Sequence, residues 1–276
     1  MRMVMISLLA AVLAILGLAG PVHARSAPQV TAKEVYLVDA TAGTVQFAKR
    51  ETRRVPVASL TKIMTAYVVR RVGSLDDVVT ISKADVKHAA ANGGTHAGLK
   101  AGERLTVREL LYGVLLPSGA DASNALARRY GPGVKRFVAR MNQAARTLGL
   151  RDTLYTNPDG LPQTGGDHST AKDQVTLAQA VLKDPVIATI VRTERYTVSK
   201  TAVHRAHVWH NTNRLLPSEA QGLKTGYTKA AGYCLMFASV IGGHTMVGVL
   251  LGDTGDAARY RSARRLLDAT AAATAA

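Results

Sequence analysis

Residues 223–251 read LKTGYTKAAGYCLMFASVIGGHTMVGVLL, and this stretch does most to decide the fold. It contains three apolar runs separated by short turns that contain glycine: 223–227, 233–241 and 245–251. Runs of this length between turns predict three consecutive strands. Nearer the N-terminus, apolar runs at 34–38 and 45–47 flank a turn-rich link, which predicts an antiparallel hairpin.

Helical patterns fill the chain between these two groups of strands. From Ser59 to about Gly73, apolar residues recur at intervals of three and four, which predicts a helix with Ser59 at its N-terminus. Thr106 and Glu109 form a capping-box pattern that opens another helix. Further helices are predicted at 121–129, 134–148, 171–183 and 257–273. This order of elements predicts a mixed α/β fold, in which an antiparallel sheet is flanked by helices and carries a helical lobe.

The first residues resemble a secretory signal peptide. Arg2 precedes an apolar run at 3–18, and a small-residue cleavage pattern ends at Ala24. A short membrane anchor is the alternative, but the apolar run is marginal in length for crossing a bilayer. We therefore expect residues 1–24 to be removed and residues 25–276 to form one secreted or periplasmic domain without a stable membrane anchor.

The composition narrows the class of partner. The formal net charge is +16, with 35 Lys and Arg against 19 Asp and Glu, so the surface attracts anions. Aromatic residues make up 5% of the chain and the basic residues are dispersed, which is unlike a nucleic-acid-binding surface. An anionic polymer such as a cell wall fits better. Cys234 is the one cysteine, so no intrachain disulfide forms, and its apolar neighbours predict a buried side chain.

The chemistry is suggested by three short motifs in order. Ser59 and Lys62 are three residues apart on a predicted helix, so the amine and the hydroxyl share a face. The amine accepts the serine proton only when it is neutral, which requires a lowered pKa through burial or a nearby cation such as Lys224. The backbone N–H groups at a helix N-terminus would stabilise an oxyanion. The four residues Ser59-Leu-Thr-Lys62 alone are weak evidence for this chemistry. Two further motifs follow them, Ser118-Gly-Ala120 and Lys224-Thr-Gly226, and the three together are specific.

Together these motifs resemble those of the penicillin-binding serine DD-peptidases of low molecular mass, over residues 33–268. Supporting stretches are PVASLTKIMT at 56–65, NPDGL at 157–161, HSTA at 168–171 and GLKTGYTKAAG at 222–232. The resemblance implies a β-lactamase/DD-peptidase-like fold, hydrolysis of D-alanyl bonds in peptidoglycan stem peptides, and inhibition by β-lactams. It implies that Ser59 is the acylated nucleophile, Lys62 its general base and Ser118 a proton relay.

The same resemblance assigns the substrate clamp to one strand. Lys224 and Thr225 would bind the terminal carboxylate, and Gly226 would let the substrate backbone lie close. The N–H groups of Ser59 and Tyr227 would form the oxyanion hole. An edge strand that carries a lysine also suits an extended anionic peptide on physical grounds.

One departure from the family pattern concerns the second motif. Ala120 stands where the family usually has Asn, so an amide that would bridge the lysine and a substrate carbonyl is missing. Loss of such a buried hydrogen bond costs roughly 1–3 kcal/mol, so we expect slower turnover unless Asn124 compensates. A catalytically weak or inactive peptidoglycan-binding relative is the alternative function.

Two other enzyme classes fit the residues less well. A class A β-lactamase requires a glutamate to activate the deacylating water, and residues 148–169 contain only the acids Asp152, Asp159 and Asp167. A metalloenzyme is disfavoured because, on a strand, His204 and His210 would share a face while His207 points away. We expect no metal and no cofactor. Whether carboxypeptidase or endopeptidase activity dominates stays open, with the end of the chain and GPGVK at 131–135 resembling the endopeptidase branch.

Overall fold

The computed structural model describes residues 27–162, 166–216 and 220–274. The predicted signal peptide at 1–24 lies outside the described residues. Within them, the chain forms a five-stranded antiparallel sheet with helices on both faces.

The sheet is built from the two groups of strands that the sequence predicts. Its members are β1 (Glu34–Asp39), β2 (Thr44–Lys49), β7 (Leu223–Thr228), β8 (Gly232–Ile241) and β9 (His244–Asp253). Their order is β2-β1-β9-β8-β7, so the N-terminal hairpin joins the C-terminal meander through the pairing of β1 with β9. β7 therefore lies at an edge, and its other side carries no strand among the described residues.

Eight helices are described, and most begin where the sequence predicts. They are α1 (Thr61–Val72), α2 (Lys83–Ala91), α3 (Val107–Leu115), α4 (Ala120–Tyr130), α5 (Val134–Thr147), α6 (Ala171–Leu182), α7 (Pro185–Arg192) and α8 (Asp256–Thr274). The capping box at the start of α3 is confirmed, since Thr106 Oγ1 accepts from the Glu109 N–H and the Glu109 carboxylate accepts from the Thr106 N–H.

Four short strands form two additional ribbons that the sequence patterns do not predict. β3 (Val78–Thr80) pairs with β4 (Arg104–Thr106), and β5 (Arg195–Val198) pairs with β6 (His207–His210). Strands of three or four residues show too few alternations to be recognised from periodicity. Helices α2 and α7 are also absent from the sequence prediction. The alanine-rich α2 has no clear apolar stripe, and α7 begins at Pro185, which the sequence suggests as a helix end.

Burial on both faces of the sheet explains its stability without a disulfide. One face packs against α6, and the other packs against α8, where Leu235, Phe237 and Leu266 are almost fully buried. Cys234 is fully buried, and burial raises the pKa of its thiol to about 12, as expected for a small hydrophobic residue. No helix in the described ranges is long and apolar enough to cross a membrane.

Candidate active site

The nucleophile candidate and its base are hydrogen-bonded at the start of the first helix. A single 3-10 turn at Ala58–Leu60 leads directly into α1, so Ser59 lies in the turn and Lys62 in the first turn of the helix. Lys62 Nζ donates to Ser59 Oγ at 2.9 Å and to the Asp159 carbonyl oxygen at 2.8 Å. The hydroxyl is therefore within direct proton-transfer reach of the amine.

Burial gives Lys62 a pKa near neutrality. Its side chain is 1% exposed, and desolvation lowers the pKa of its ammonium to about 8, while the carboxylates of Asp159 and Asp121 oppose that shift. Of the two causes that the sequence left open, burial or a nearby cation such as Lys224, burial is the principal one. A base of pKa about 8 is partly neutral at pH 7, which is what a serine-activating amine requires.

The carbonyl that holds Lys62 belongs to a loop organised by one asparagine. Asn157 Oδ1 accepts from the N–H groups of Asp159 and Gly160, and its amide donates to the Leu161 carbonyl. Thr65 Oγ1 donates to the Pro158 carbonyl at 2.6 Å, which attaches the loop to α1. The loop therefore fixes the position of the Lys62 amine.

A glycine allows this loop to approach the nucleophile segment. Gly160 has φ +76°, and a Cβ there would lie 1.9 Å from the Ala58 carbonyl oxygen. Only glycine fits such a close backbone contact.

A histidine–aspartate pair that the sequence patterns do not indicate lies beside Lys62. His88 Nε2 is 2.6 Å from Asp159 Oδ2, and the Asp159 side chain is fully buried. The pair raises the pKa of His88 chiefly through the hydrogen bond, and hydrogen bonding and charge lower the pKa of Asp159 despite its burial. No local signal in α2 marks His88, because the pairing depends on tertiary contact with a loop 71 residues away.

Ser118 lies in a strained break between α3 and α4. Its φ is +65°, and its Oγ is buried without a hydrogen-bond partner within the described ranges. Thr95 Oγ1 donates to the Ser118 carbonyl and the Ala120 N–H donates to the Thr95 carbonyl, so a neighbouring loop holds the break. Strain of this kind costs about 1–3 kcal/mol and is concentrated at functional sites.

Ala120 occupies an apolar contact where the family has an amide. It is fully buried in a small cluster with Ala89 and Leu161, so the second motif packs against the loop that holds Lys62. The compensation suggested for Asn124 is not found, since its amide donates to the buried Asp85 carboxylate instead.

The edge strand β7 brings the third motif against the nucleophile segment. A Cβ on Gly226 would lie 3.2 Å from the Ser59 backbone nitrogen, so these two backbones are in close contact. Lys224 is 1% exposed, and burial lowers the pKa of its ammonium, with the charges of Lys62 and Arg259 acting in the same direction. Two buried amines thus lie near the serine.

The remaining residues of the strand are arranged around this contact. Thr225 Oγ1 lies 2.6 Å from Thr212 Oγ1, and Tyr227 is 55% exposed with its ring 4.4 Å from that of Tyr233. Lys224 Nζ donates to the Thr225 carbonyl at 3.0 Å.

Arg259 on α8 is a second residue that the sequence patterns do not indicate. It is 6% exposed, and its guanidinium donates to the carbonyls of Gly226 and Cys234, both at 3.1 Å. The residue braces β7 from the side of α8 and adds a positive charge close to Lys224. An arginine in a helix of basic character gives no sequence signal for this role.

The histidine-rich segment differs from the expectation. His204 lies outside β6, so it does not share a strand face with His210 as predicted, and His207 is buried with Nε2 3.3 Å from Glu103 Oε1. His210 is exposed at the other end of the strand. In the part of the chain that is described, no three His, Cys, Asp or Glu side chains converge as a metal site requires.

Comparisons with known proteins show which family the chain resembles in sequence and fold. A family model described as D-alanyl-D-alanine carboxypeptidase matches residues 22–255. The D-alanyl-D-alanine carboxypeptidase of Streptomyces sp. strain K15 is 40% identical over 264 residues, which cover 91% of this chain and 90% of that protein. D-alanyl-D-alanine carboxypeptidase DacF of Bacillus subtilis is 34% identical over 86% of this chain, which spans 61% of that relative. A solved variant of the Streptomyces K15 DD-transpeptidase superposes with a TM-score of 0.84 at 40% identity, covering 88% of this chain and 98% of that one.

Proposed function

Because the chain belongs to the D-alanyl-D-alanine carboxypeptidase family of serine DD-peptidases, we propose that Ser59 is acylated by the penultimate D-alanine of a peptidoglycan stem peptide. The observation that carries this role is the 2.9 Å hydrogen bond between Lys62 Nζ and Ser59 Oγ. Neutral Lys62 takes the hydroxyl proton as Ser59 Oγ attacks the carbonyl carbon. The C–N bond then breaks, the nitrogen receives a proton by way of Ser118, and D-alanine leaves.

The strand β7 supplies the substrate clamp in this proposal. The substrate lies along its open edge with the terminal carboxylate at Lys224 and Thr225, where Arg259 adds positive charge. The scissile carbonyl then lies beside Gly226, and the N–H groups of Ser59 and Tyr227 stabilise the oxyanion. The close contact between Gly226 and Ser59 supports this placement, because any side chain at 226 would fill the channel.

The acyl-enzyme is expected to hydrolyse slowly. The two carboxylates that act on Lys62 already accept other hydrogen bonds, Asp159 from His88 and Asp121 from the N–H groups of Ala97 and Leu99. Both carboxylates are thus engaged in holding the local structure, and residues 148–169 contain no glutamate to activate water, so a β-lactam that acylates Ser59 persists as an inhibitor. Water as acceptor gives carboxypeptidase activity, and an amine as acceptor gives transpeptidation, the reaction for which the Streptomyces K15 DD-transpeptidase is named.

The proposal includes the compartment. Peptidoglycan lies outside the cytoplasm, so we infer secretion or a periplasmic location after removal of residues 1–24. The net charge of +16 supports an anionic polymer as the substrate.

A paired assay tests the proposed function. Purified protein is incubated with a diacylated peptide ending in D-Ala-D-Ala, and released D-alanine is measured with and without an added amine acceptor. A fluorescent penicillin is then used to label the protein, with Ser59→Ala as the matched control. D-Alanine release together with a label that requires Ser59 supports the function. If the folded protein takes no label and releases no D-alanine, it is a peptidoglycan-binding relative instead. Digestion of cross-linked muropeptides is a separate assay, which identifies endopeptidase activity.

A further inference from the structure

We propose that a basic cleft beside the turn between β7 and β8 is a subsite for a carboxylate that the stem peptide carries upstream of the scissile bond. This inference rests on the proposed function. The cleft encloses about 700 Å³, and its basic lining residues are Lys33, Arg50, Arg53, Arg54 and Lys229.

Three of these five cations are not balanced by acids. Arg54 pairs with Asp152 at 2.6 Å, and Arg53 lies 3.5 Å from the buried carboxylate of Glu34. No carboxylate lies within ion-pair distance of Lys33, Arg50 or Lys229 among the residues of 27–162, 166–216 and 220–274.

The carboxylates that line the cleft do not cancel this excess of positive charge. The cleft is lined by two carboxylates, Glu34 and Asp253, against five basic side chains. Burial raises the pKa of Glu34, and the nearby charges of Arg53, Lys33 and Arg50 oppose that shift. Asp253 is 3% exposed, and its carboxylate accepts from the hydroxyls of Thr31 and Ser262. The cleft therefore presents net positive charge to solvent, and a carboxylate is the complementary group.

The position of the cleft connects it to the reaction. Val55 and Pro56 line it, and Pro56 is three residues before Ser59 in the segment that contacts β7. Lys229 follows the last residue of β7 and is exposed. The cleft thus begins where the proposed substrate channel ends.

The direction in which the substrate runs along β7 determines which of its residues reaches the cleft. With its terminal carboxylate at Lys224 and its scissile carbonyl at Gly226, a peptide antiparallel to β7 extends past Tyr227 towards Lys229. Three residues of strand span about 10 Å, so the side chain two to three residues upstream of the acylated D-alanine arrives at the cleft. The exposed ring of Tyr227 lies along this path.

The test uses two peptides that differ in one group. Both end in D-Ala-D-Ala, and one carries a side-chain carboxylate two residues upstream of the acylated D-alanine, whereas the other carries the carboxamide. We expect kcat/KM to be about three- to tenfold higher for the acidic peptide, and the preference to shrink as salt is raised, because the cations are exposed. Lys229→Gln and Arg50→Gln should each reduce the preference without changing kcat/KM for the carboxamide peptide or the rate of penicillin acylation. Lys183→Gln, at the end of α6 and remote from the cleft lining, is the matched control and should leave the preference intact.

Each other outcome overturns the subsite. If the unmodified protein has equal kcat/KM for the two peptides, the proposed subsite is refuted, while the peptidase function still stands. If Lys229→Gln lowers kcat/KM equally for both peptides, the role of this residue is unrelated to the carboxylate. If the variants instead weaken binding of soluble poly(glycerol phosphate) and leave the peptide preference unchanged, the cleft serves a wall polymer. D-Alanine release from neither peptide overturns the function itself, and the subsite with it.

Discussion

His88 Nε2 lies 2.6 Å from Asp159 Oδ2, and the backbone carbonyl of the same aspartate accepts a hydrogen bond from Lys62. The imidazole and the buried carboxylate are thereby held next to the amine that we propose activates Ser59. The charged groups that act on His88 are Asp159 and Lys62, together with Asp85 on its own helix. The protonation of His88 and that of Lys62 are therefore linked.

The pH dependence of acylation follows from this linkage. Lys62 must be neutral to accept the serine proton, so the rate of penicillin acylation should fall as the pH is lowered through about 8, the pKa of its ammonium. His88→Gln removes the imidazole that is hydrogen-bonded to Asp159 and that, when protonated, repels the charge of Lys62; its loss favours charged Lys62 and should move the acidic limb to higher pH. Stopped-flow acylation rates between pH 5 and 10 check this. His210→Gln, at an exposed position on β6, should leave the limb in place, and an unshifted limb in His88→Gln would contradict the linkage.

Lys62→Met should stabilise the protein while it abolishes acylation. The pKa of Lys62 is lowered from 10.5 to about 8, so the folded state holds its proton less tightly than the unfolded state does. Below pH 8 both states are protonated and the whole penalty of burying the charge is present, up to about 3 kcal/mol. As the pH rises from 8 to 10.5 the folded state becomes neutral and the penalty disappears.

Chemical denaturation at pH 7 and pH 10 measures this difference. We expect the gain in the free energy of unfolding of Lys62→Met to be larger at pH 7. A gain of equal size at both values would show that packing, rather than charge burial, is responsible.

Gly160→Ala should be far more damaging than Gly149→Ala. The two glycines have nearly the same φ, +76° and +74°, but a Cβ at 160 meets the Ala58 carbonyl whereas a Cβ at 149 meets nothing within 4 Å. The conformational strain common to both is about 1 kcal/mol, so Gly149→Ala should cost about that much. Gly160→Ala should cost several kcal/mol and slow acylation, because it displaces the loop that holds Lys62. Urea unfolding and penicillin labelling report both effects, and equal losses in the two variants would refute a role for the close contact.

Ala120→Asn tests the departure in the second motif. Ala120 is fully buried against Leu161, so the larger polar side chain should lower the free energy of unfolding by about 1–3 kcal/mol. Ala120→Val, which adds volume without an amide, is the control. If the missing amide limits the rate, turnover of the D-Ala-D-Ala peptide should rise in the Asn variant alone, and turnover that falls equally in both would exclude that role.

The sequence predicted the sheet and the catalytic spacing because both are local patterns. Apolar runs between glycine turns indicated β7, β8 and β9, and the three-residue interval between Ser59 and Lys62 indicated a shared face. These features need no knowledge of distant contacts.

What the sequence did not reveal depends on tertiary contact. His88 gains its importance from an aspartate 71 residues away, and Arg259 from carbonyls on two strands. The sequence left burial and a nearby cation open as causes of the lowered Lys62 pKa, and burial by the surrounding elements is the principal one. The structure brings several of the predicted site residues together, but all of the assigned roles stay predictions: those of Ser59, Lys62, Ser118, Lys224, Thr225, Gly226 and Tyr227.

The single thiol of the chain has a practical consequence. Cys234 is fully buried near the start of β8, with a pKa raised to about 12, so it resists oxidants and alkylating reagents while the protein stays folded. Modification of this sulfur by a reagent such as a maleimide therefore requires the sheet to open. The rate of that modification, measured with and without a bound β-lactam, would report how often the native protein unfolds and how far acylation of Ser59 slows that unfolding.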